Sequence, residues 1–383
     1  MRIGMLVDTY QHLSGVTNHV GLTKQHLEKL GHEVFVFTFG NTKNSKENEN
    51  IFYSPALPLG KSGYNFSIRY TQQSKNLLQT MDVLHLHHPF LSGQLALLYS
   101  KRKETPLIFT SHTRYDIYTQ AHLPFLPDGT GEKISKAYFS SFSQKMNLII
   151  APSLGAKRFL EHIGVPSHII KHIPNGIDLT PFMNINQPIP RHELGFTEED
   201  VVFVYAGRVS TVKNLSLLLN AFSGMAQNEP RGKLLLVGDG PEMKDIKAQV
   251  RYMKLEKKVC FTGLVPYQQI PRYLASANIF VTASTSEIHP LSVIEAQAAG
   301  LPVLGITSPG IEDIVEPEET GLLTRDKDLP TFTNNMLRLA RDEDTRQKMS
   351  IQARKRSQRY SIERTTKLLL KEYQTVIAKN NLS

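Results

Sequence analysis

The stretch Ile279-Phe-Val-Thr-Ala-Ser-Thr-Ser-Glu-Ile-His-Pro-Leu-Ser-Val-Ile-Glu-Ala-Gln-Ala-Ala-Gly300 decides the fold. Ile279 to Ser284 is an apolar, strand-like run, and Leu291 to Ala299 is a helix-like one. A strand that hands over to a helix is half of a βα unit, the repeating element of helix-covered parallel sheets. Pro290 is expected at the first helical position, where its missing N–H costs nothing. The amides of Leu291 and Ser292 can then point at an anion, assisted by the helix dipole. Two acids, Glu287 and Glu295, flank that point. Strand ends and the first turns of the next helices line the crevice of an open α/β sheet. A carboxylate there accepts two hydroxyls at once and suits a hydroxyl-rich ligand. Taken alone, Glu295 also reads as an ordinary helix glutamate.

The same alternation runs outward in both directions. Strands are expected at Ile3–Asp8, Glu33–Phe39, Val83–His88, Leu107–His112 and Leu148–Ser153, then at Val201–Ala206, Lys233–Val237, Val259–Thr262, Ile279–Ser284 and Pro302–Leu304. Helical stretches lie between them, for example Asn18–Leu30, Ser216–Gln227, Glu242–Met253 and Gln268–Ser276. Runs such as Val201-Val-Phe-Val-Tyr205 carry no polar alternation, as expected where helices cover both faces of a sheet. Residues Asn175 to Glu199 carry Pro181, Pro188 and Pro190 among short polar pieces and read as a linker. The expected fold class is therefore α/β, with two Rossmann-like doubly wound domains facing a central cleft. Residues 1–178 form the first, residues 179–360 the second, and residues 361–383 a C-terminal helix that crosses back to the first. Tyr360-Ser361 breaks the helical tail into two helices.

Composition limits the alternatives. The 383 residues are 40% apolar and 21% charged, which describes a folded protein of two ordinary domains. A single cysteine, Cys260 in a strand-like run, leaves no internal disulfide framework and fits a cytoplasmic setting. The N-terminal apolar run stops at Asp8, too early for a signal peptide. No run approaches the roughly 18–20 apolar residues that a spanning helix needs. The net charge of +9 attracts anions, but no zinc spacing, recognition helix or RNA-stacking signature accompanies it, so no nucleic-acid partner is expected. Lys101-Arg-Lys103 and Arg354-Lys-Arg356 read as solvated helix faces that can also touch anionic lipid.

Beyond the acid pair, Arg208 and Lys213 stand five residues apart just past a strand, with Gly207 for the turn. A guanidinium and an ammonium so placed can clamp a diphosphate. Val237-Gly238-Asp-Gly-Pro241 is a glycine turn after another strand, without the spacing of a dinucleotide or Walker loop. In the first half, Ser14-Gly15-Val16 precedes a helix and offers an approach point for phosphate or acceptor. His112 closes a strand and is placed to hydrogen-bond a substrate hydroxyl. His85, His87 and His88 are expected to pack or cap, since no acid accompanies them for a metal. No metal site, cofactor or Ser-His-Asp order is expected.

Together these residues resemble the retaining glycosyltransferases of family four, which have the GT-B fold. The carriers are Ser14–Val16, His112-Thr-Arg-Tyr115, Pro174-Asn-Gly-Ile-Asp178, Gly207-Arg208 with Lys213-Asn214, Gly238–Pro241, Val259–Gly263, and Glu287 and Glu295 followed by Ala299-Gly-Leu-Pro302. The resemblance implies a nucleotide-sugar donor held by the second domain. Arg208 and Lys213 hold its diphosphate, Glu295 its ribose and Glu287 its sugar. Amides near Leu291 and Ser292 hold the distal phosphate, and Gly15, Val16, Gly207, Gly238, His289 and Pro290 line the donor site. His112 orients the sugar, and no divalent metal is needed. The chain departs from the family pattern at Pro290, where glycine is common, and at Val212, where glutamate is common. The pattern His112-Thr113-x-Tyr115-x-x-Tyr118 is similar to that of the diacylglycerol glucosyltransferases, which sit on the inner membrane face. It implies that Tyr115 and Tyr118 serve the acceptor. The expected activity is retaining hexosyl transfer from a nucleoside-diphosphate sugar, by default UDP-glucose, to an acceptor hydroxyl on a lipid or on a soluble sugar or metabolite. A nucleotide-sugar 2-epimerase of the same architecture and a non-catalytic binding module remain as alternatives.

Overall fold

The computed structural model describes residues 1–10, 15–46, 49–58, 65–67, 69–100, 105–115, 129–185 and 187–382. The chain forms two units: Met1–Gly176 together with Ile362–Ser383, and Ile177–Ser361. Each is built on its own parallel sheet.

In the first unit the strands are β1 (Arg2–Leu6), β2 (Glu33–Gly40), β3 (Ile51–Pro55), β6 (Val83–Leu86), β7 (Leu107–Thr110), β8 (Leu148–Ala151) and β9 (Ile170–His172). They pair in the order β3-β2-β1-β6-β7-β8-β9. A separate antiparallel pair, β4 (Leu57–Pro58) and β5 (Asn65–Phe66), lies between β3 and the next helix in sequence. The second unit holds β10 (Val201–Ala206), β11 (Gly232–Val237), β12 (Val259–Gly263), β13 (Ile279–Thr282), β14 (Val303–Ile306) and β15 (Gly321–Thr324). Their order is β12-β11-β10-β13-β14-β15. In each sheet the unit's first strand sits inside, with its second strand on one side and its fourth large-sheet strand on the other. The order reverses there, and ligands bind beyond the carboxyl ends of strands at such a point. The fold thus puts the residues after β10 and β13 side by side, because neighbouring strands lie about 4.8 Å apart. It does the same for those after β1, β6 and β7.

Strands without polar alternation are covered on both faces, as every residue of β10 and β13 is buried. Phe203, Phe222 and Phe332 fill one side of the second sheet. Phe280, Phe182 and Ile294 fill the other. The last helix, Ile362–Asn380, belongs to the first unit, where Leu369, Tyr373 and Val376 join the β1–β3 side of the core. Gly176 marks the boundary: a Cβ there would lie 1.9 Å from Thr365 Oγ1.

Five strands escaped the sequence reading: β3, the short pair β4 and β5, β9 and β15. The expected linker is also corrected. Ile177, Leu179, Phe182, Leu194 and Phe196 are buried in the second unit's core, so the proline-rich stretch is folded onto that unit. Arg191 fastens it. Its Nη1 donates to the carbonyls of Glu198 and Asp200, each at 2.9 Å, its Nε to Ser276 O at 3.2 Å, and its Nη2 to Asn278 Oδ1 at 3.0 Å. Removing such a donor leaves its acceptors short of partners. Arg191→Ala is expected to lower stability by about 2 kcal/mol. Arg191→Lys should recover only part of that, because an ammonium cannot span the fork. Urea unfolding measures both, and two variants indistinguishable from the parent chain would refute the fastening role.

Candidate active site

Beyond β10 the chain turns at Gly207, and Arg208 follows with an exposed side chain. The hydroxyl of Tyr205 donates to Arg208 O at 2.9 Å and pins that turn. Val212 and Lys213 follow in a short 3-10 turn closed by Asn214 in the left-handed region, φ 52°. From β13, Ser284 Oγ donates to Val212 O at 3.1 Å, tying the two segments together. Lys213 Nζ then meets Glu287 Oε1 at 2.5 Å. The side chains are 26% and 15% exposed, so this pair is less screened than a surface one. Burial and the nearby Glu287 charge hold the Tyr205 phenol well above its usual range. Gly310 braces the acid from behind: its N–H donates to Glu287 O at 2.8 Å. A Cβ on Gly310 would lie 2.2 Å from the Ile288 carbonyl.

The helix Leu291–Ala298 starts one residue later than expected. Pro290 is its N-cap, extended at φ −72° and ψ 116°, and donates no side-chain cap. The first amides of the helix, Leu291 and Ser292 included, have no intrahelical acceptor by construction. They sit at the positive end of the dipole, next to the Lys213–Glu287 pair in sequence and topology. Glu295 is 6% exposed, and the hydroxyl of Tyr267 donates to its Oε1 at 2.7 Å. Burial pushes its carboxyl up to about 7, and the Tyr267 hydrogen bond only partly opposes this. Glu295, expected at the ribose, is thus a largely buried acid whose Oε1 already accepts from a tyrosine.

A raised carboxyl stabilises the fold while it is protonated. That contribution is whole below the ordinary carboxyl value of 4.5 and is lost as pH rises through about 7. Glu295→Gln cannot ionise. It is expected to be more stable than the parent by on the order of 3 kcal/mol at pH 8 and nearly equal to it at pH 4.5. Melting curves of both proteins across that range test this, and a difference independent of pH would refute it.

In the first unit, His87 and His112 extend β6 and β7, which are neighbours in the sheet. His87 Nδ1 lies 2.9 Å from His112 Nε2, with the ring planes 18° apart and the centroids 5.2 Å apart. His85 stacks on His87 at 4.2 Å. Its two nitrogens meet Tyr373 Oη and Thr110 Oγ1, each at 2.6 Å. His19 stands edge-on to His87 and His112. Burial lowers His19 to about 4 and His85 to about 3, so these rings are neutral at pH 7. Among the described residues no group of three or more histidines, cysteines or acids is arranged to hold a metal ion. The histidines pack ring on ring, as His85 and His87 were expected to.

Gly15 opens the helix Gly15–Lys29, and a Cβ there would meet nothing within 4 Å. Val16 is half-buried beside it. Gly238 lies against Gly207, backbone on backbone. His289 is 6% exposed and packs edge-on to Tyr360 at 5.3 Å, inside its own unit. Tyr115, expected at the acceptor, is also deep in its unit. It is 4% exposed and packs between Phe90 and Phe139, because its ring completes an aromatic cluster. Ser14, Lys101–Lys103 and Tyr118 lie outside the described residues. Tyr205, Tyr267 and His87 were not singled out for the site from sequence. Only His87 had a signal: strand alternation puts it on the face of His85, one strand from His112.

Two family models match the chain. "Glycosyltransferase Family 4" covers residues 13–181 and "Glycosyl transferases group 1" residues 186–356. An alpha-monoglucosyldiacylglycerol synthase of Streptococcus pneumoniae is 28% identical over 340 residues, 84% of this chain and 75% of that protein. A D-inositol 3-phosphate glycosyltransferase of Nocardia farcinica is 25% identical over 314 residues, 80% and 69% of the two chains. Among solved structures, Anabaena HepE in complex with UDP-glucose superposes with a TM-score of 0.75 at 20% identity, over 98% of this chain and 100% of that one.

Proposed function

Because the chain belongs to glycosyltransferase family four and folds as a GT-B enzyme, we propose that it moves a glucosyl residue from UDP-glucose to the free hydroxyl of diacylglycerol with retention of configuration. The single observation behind the donor half is the Lys213–Glu287 pair at the switch point of the second sheet. The acceptor half is supported by the relative named as an alpha-monoglucosyldiacylglycerol synthase, which matches 84% of the chain.

The chemistry follows from charge. As the bond from sugar C1 to the diphosphate oxygen breaks, negative charge builds on the leaving group. Arg208 and Lys213 hold that charge with the first amides of the helix Leu291–Ala298, which are oriented before the reaction begins. Glu287 accepts sugar hydroxyls and keeps Lys213 in place. No side chain is assigned as a nucleophile behind the sugar. The acceptor oxygen attacks the face the diphosphate leaves, and its proton passes to the departing phosphate oxygen. His112 orients the donor sugar. The two cations supply the charge that a divalent ion supplies in other transferases, so turnover should persist in EDTA. Among the described residues no helix is long and apolar enough to cross a membrane. The net charge of +9 favours peripheral contact with the anionic inner face, where the lipid acceptor resides.

Radiolabelled UDP-glucose, diacylglycerol and phosphatidylglycerol vesicles test the reading, with the anomer of any glucolipid assigned by NMR. An α-glucosyl lipid is the expected product. A second reading, transfer to a soluble cyclitol phosphate, is favoured by the 25% identical Nocardia farcinica relative. Label appearing on inositol phosphate and none on lipid would replace the first reading with the second.

A further inference from the structure

We propose that His87 is a positioning residue for His112: it donates from Nδ1 to His112 Nε2, which keeps the proton of neutral His112 on Nδ1 and fixes the plane of its ring. The two nitrogens lie 2.9 Å apart, a full hydrogen bond, so one of them carries the proton and the other a lone pair. The other nitrogen of His87, Nε2, is buried and has no hydrogen-bond partner among the described residues. That asymmetry decides the direction. Were His87 protonated on Nε2, an N–H would be buried with no acceptor, and orphaned buried N–H groups are the rarest kind. With the proton on Nδ1 only a lone pair is left bare, and the hydrogen bond to His112 is made.

The surroundings of His87 hold this state. His85 covers one face at 4.2 Å and is itself held at both nitrogens, by Tyr373 and Thr110. His112 meets His87 edge to edge, with centroids 5.2 Å apart and planes 18° apart, and His19 stands edge-on at 6.1 Å. All the other histidines around the ring act in one sense: burial keeps His19, His85 and His88 below their ordinary values, although Asp8 opposes this at His88. His19, held near 4, and His85, held near 3, therefore send no cationic N–H toward the lone pair of His112 Nε2. The column reaches from the last helix, through Tyr373 and His85, to His87 and His112. A ring partner that fixes tautomer and orientation is the usual task of the group behind a working histidine.

The effect on rate rests on the glucosyl-transfer reading, but the proton position does not. The test uses the full chain labelled with ¹⁵N-histidine and long-range ¹H–¹⁵N correlation, with His112 assigned by the signals lost in His112→Gln. The expected spectrum shows His112 with a bare Nε2 and a protonated Nδ1. His87→Asn places a side-chain amide near the former Nδ1–H, and should keep that pattern and hold kcat within about tenfold of the parent. His87→Leu removes the donor. It should release His112 into a mixture of tautomers and lower kcat roughly 10²-fold, with KM for UDP-glucose moving much less. A parent spectrum with His112 protonated on Nε2 overturns the proposal, as does a His87→Leu chain whose His112 pattern and kcat match the parent. If the parent transfers no glucose to any acceptor, the activity reading fails by itself, and the spectrum still decides the proton position.

Discussion

Replacing Lys213 by alanine is expected to lower kcat for the proposed glucosyl transfer by about 10²- to 10³-fold, with a smaller change in KM for the donor. The diphosphate carries more negative charge in the transition state than in the bound donor. A fixed cation is therefore worth most at the point where the C1–O bond is breaking. Lys213 is fixed: its ammonium lies 2.5 Å from Glu287, and the strand-end segments carrying the two are joined through Ser284 and Val212. Lys213→Ala also leaves the Glu287 carboxylate, 15% exposed, without its cation and close to the buried Tyr205 phenol. The substitution should thus lower thermal stability as well as rate. The double variant with Glu287→Gln separates the two effects. Removing both charges should return melting toward that of the parent, because no unpaired carboxylate remains, while kcat stays low. A Lys213→Ala enzyme that turns over within about threefold of the parent would reduce Lys213 to a structural partner of Glu287.

What could be read from the sequence follows from how local each signal is. β10 and β13 were legible because helices cover both faces, so every position is apolar. β9 was not: it is three residues long with Lys171 and His172 exposed. β15 starts on Gly321, and β3 ends on Pro55, and both residues punctuate a sequence more than they extend a strand. The stretch after Asn175 misled for a related reason. Its prolines signal breaks, but Ile177, Leu179, Phe182, Leu194 and Phe196 supply enough apolar surface to fold it onto the second unit. At the site, the residue types were legible and the partners were not. Lys213 and Glu287 are 74 residues apart, Tyr267 and Glu295 28, and His85 and Tyr373 288. No periodicity links such positions; only the strand order brings them together. Sequence places Glu295 on the helix after β13 but carries no sign of the tyrosine, from the turn after β12, whose hydroxyl reaches it.

The second large effect is on stability. Gly238→Ala is expected to cost about 4 kcal/mol or more and to lower the melting temperature of the second unit by roughly 10 °C. Gly238 sits at φ +131°, and a Cβ there would lie 2.0 Å from Gly207 O and 3.0 Å from its carbonyl carbon. Both are backbone atoms and cannot swing aside as a side-chain end would. The backbone is also anchored on each side: Gly207 N–H donates to Val237 O and Gly238 N–H to Gly263 O, each at 3.0 Å. A methyl group would have to part the ends of β10, β11 and β12. Gly263→Ala is the control. It too has a positive φ, +68°, but a Cβ there meets nothing within 4 Å. Its cost should be only that of a left-handed alanine, about 1–2 kcal/mol. The gap between the two variants measures the close approach alone, and equal melting temperatures would refute it. The same displacement would carry Gly207 and the adjoining Arg208 out of place. Any Gly238→Ala protein that folds should therefore also be a slower glycosyltransferase than Gly263→Ala at a temperature where both are native.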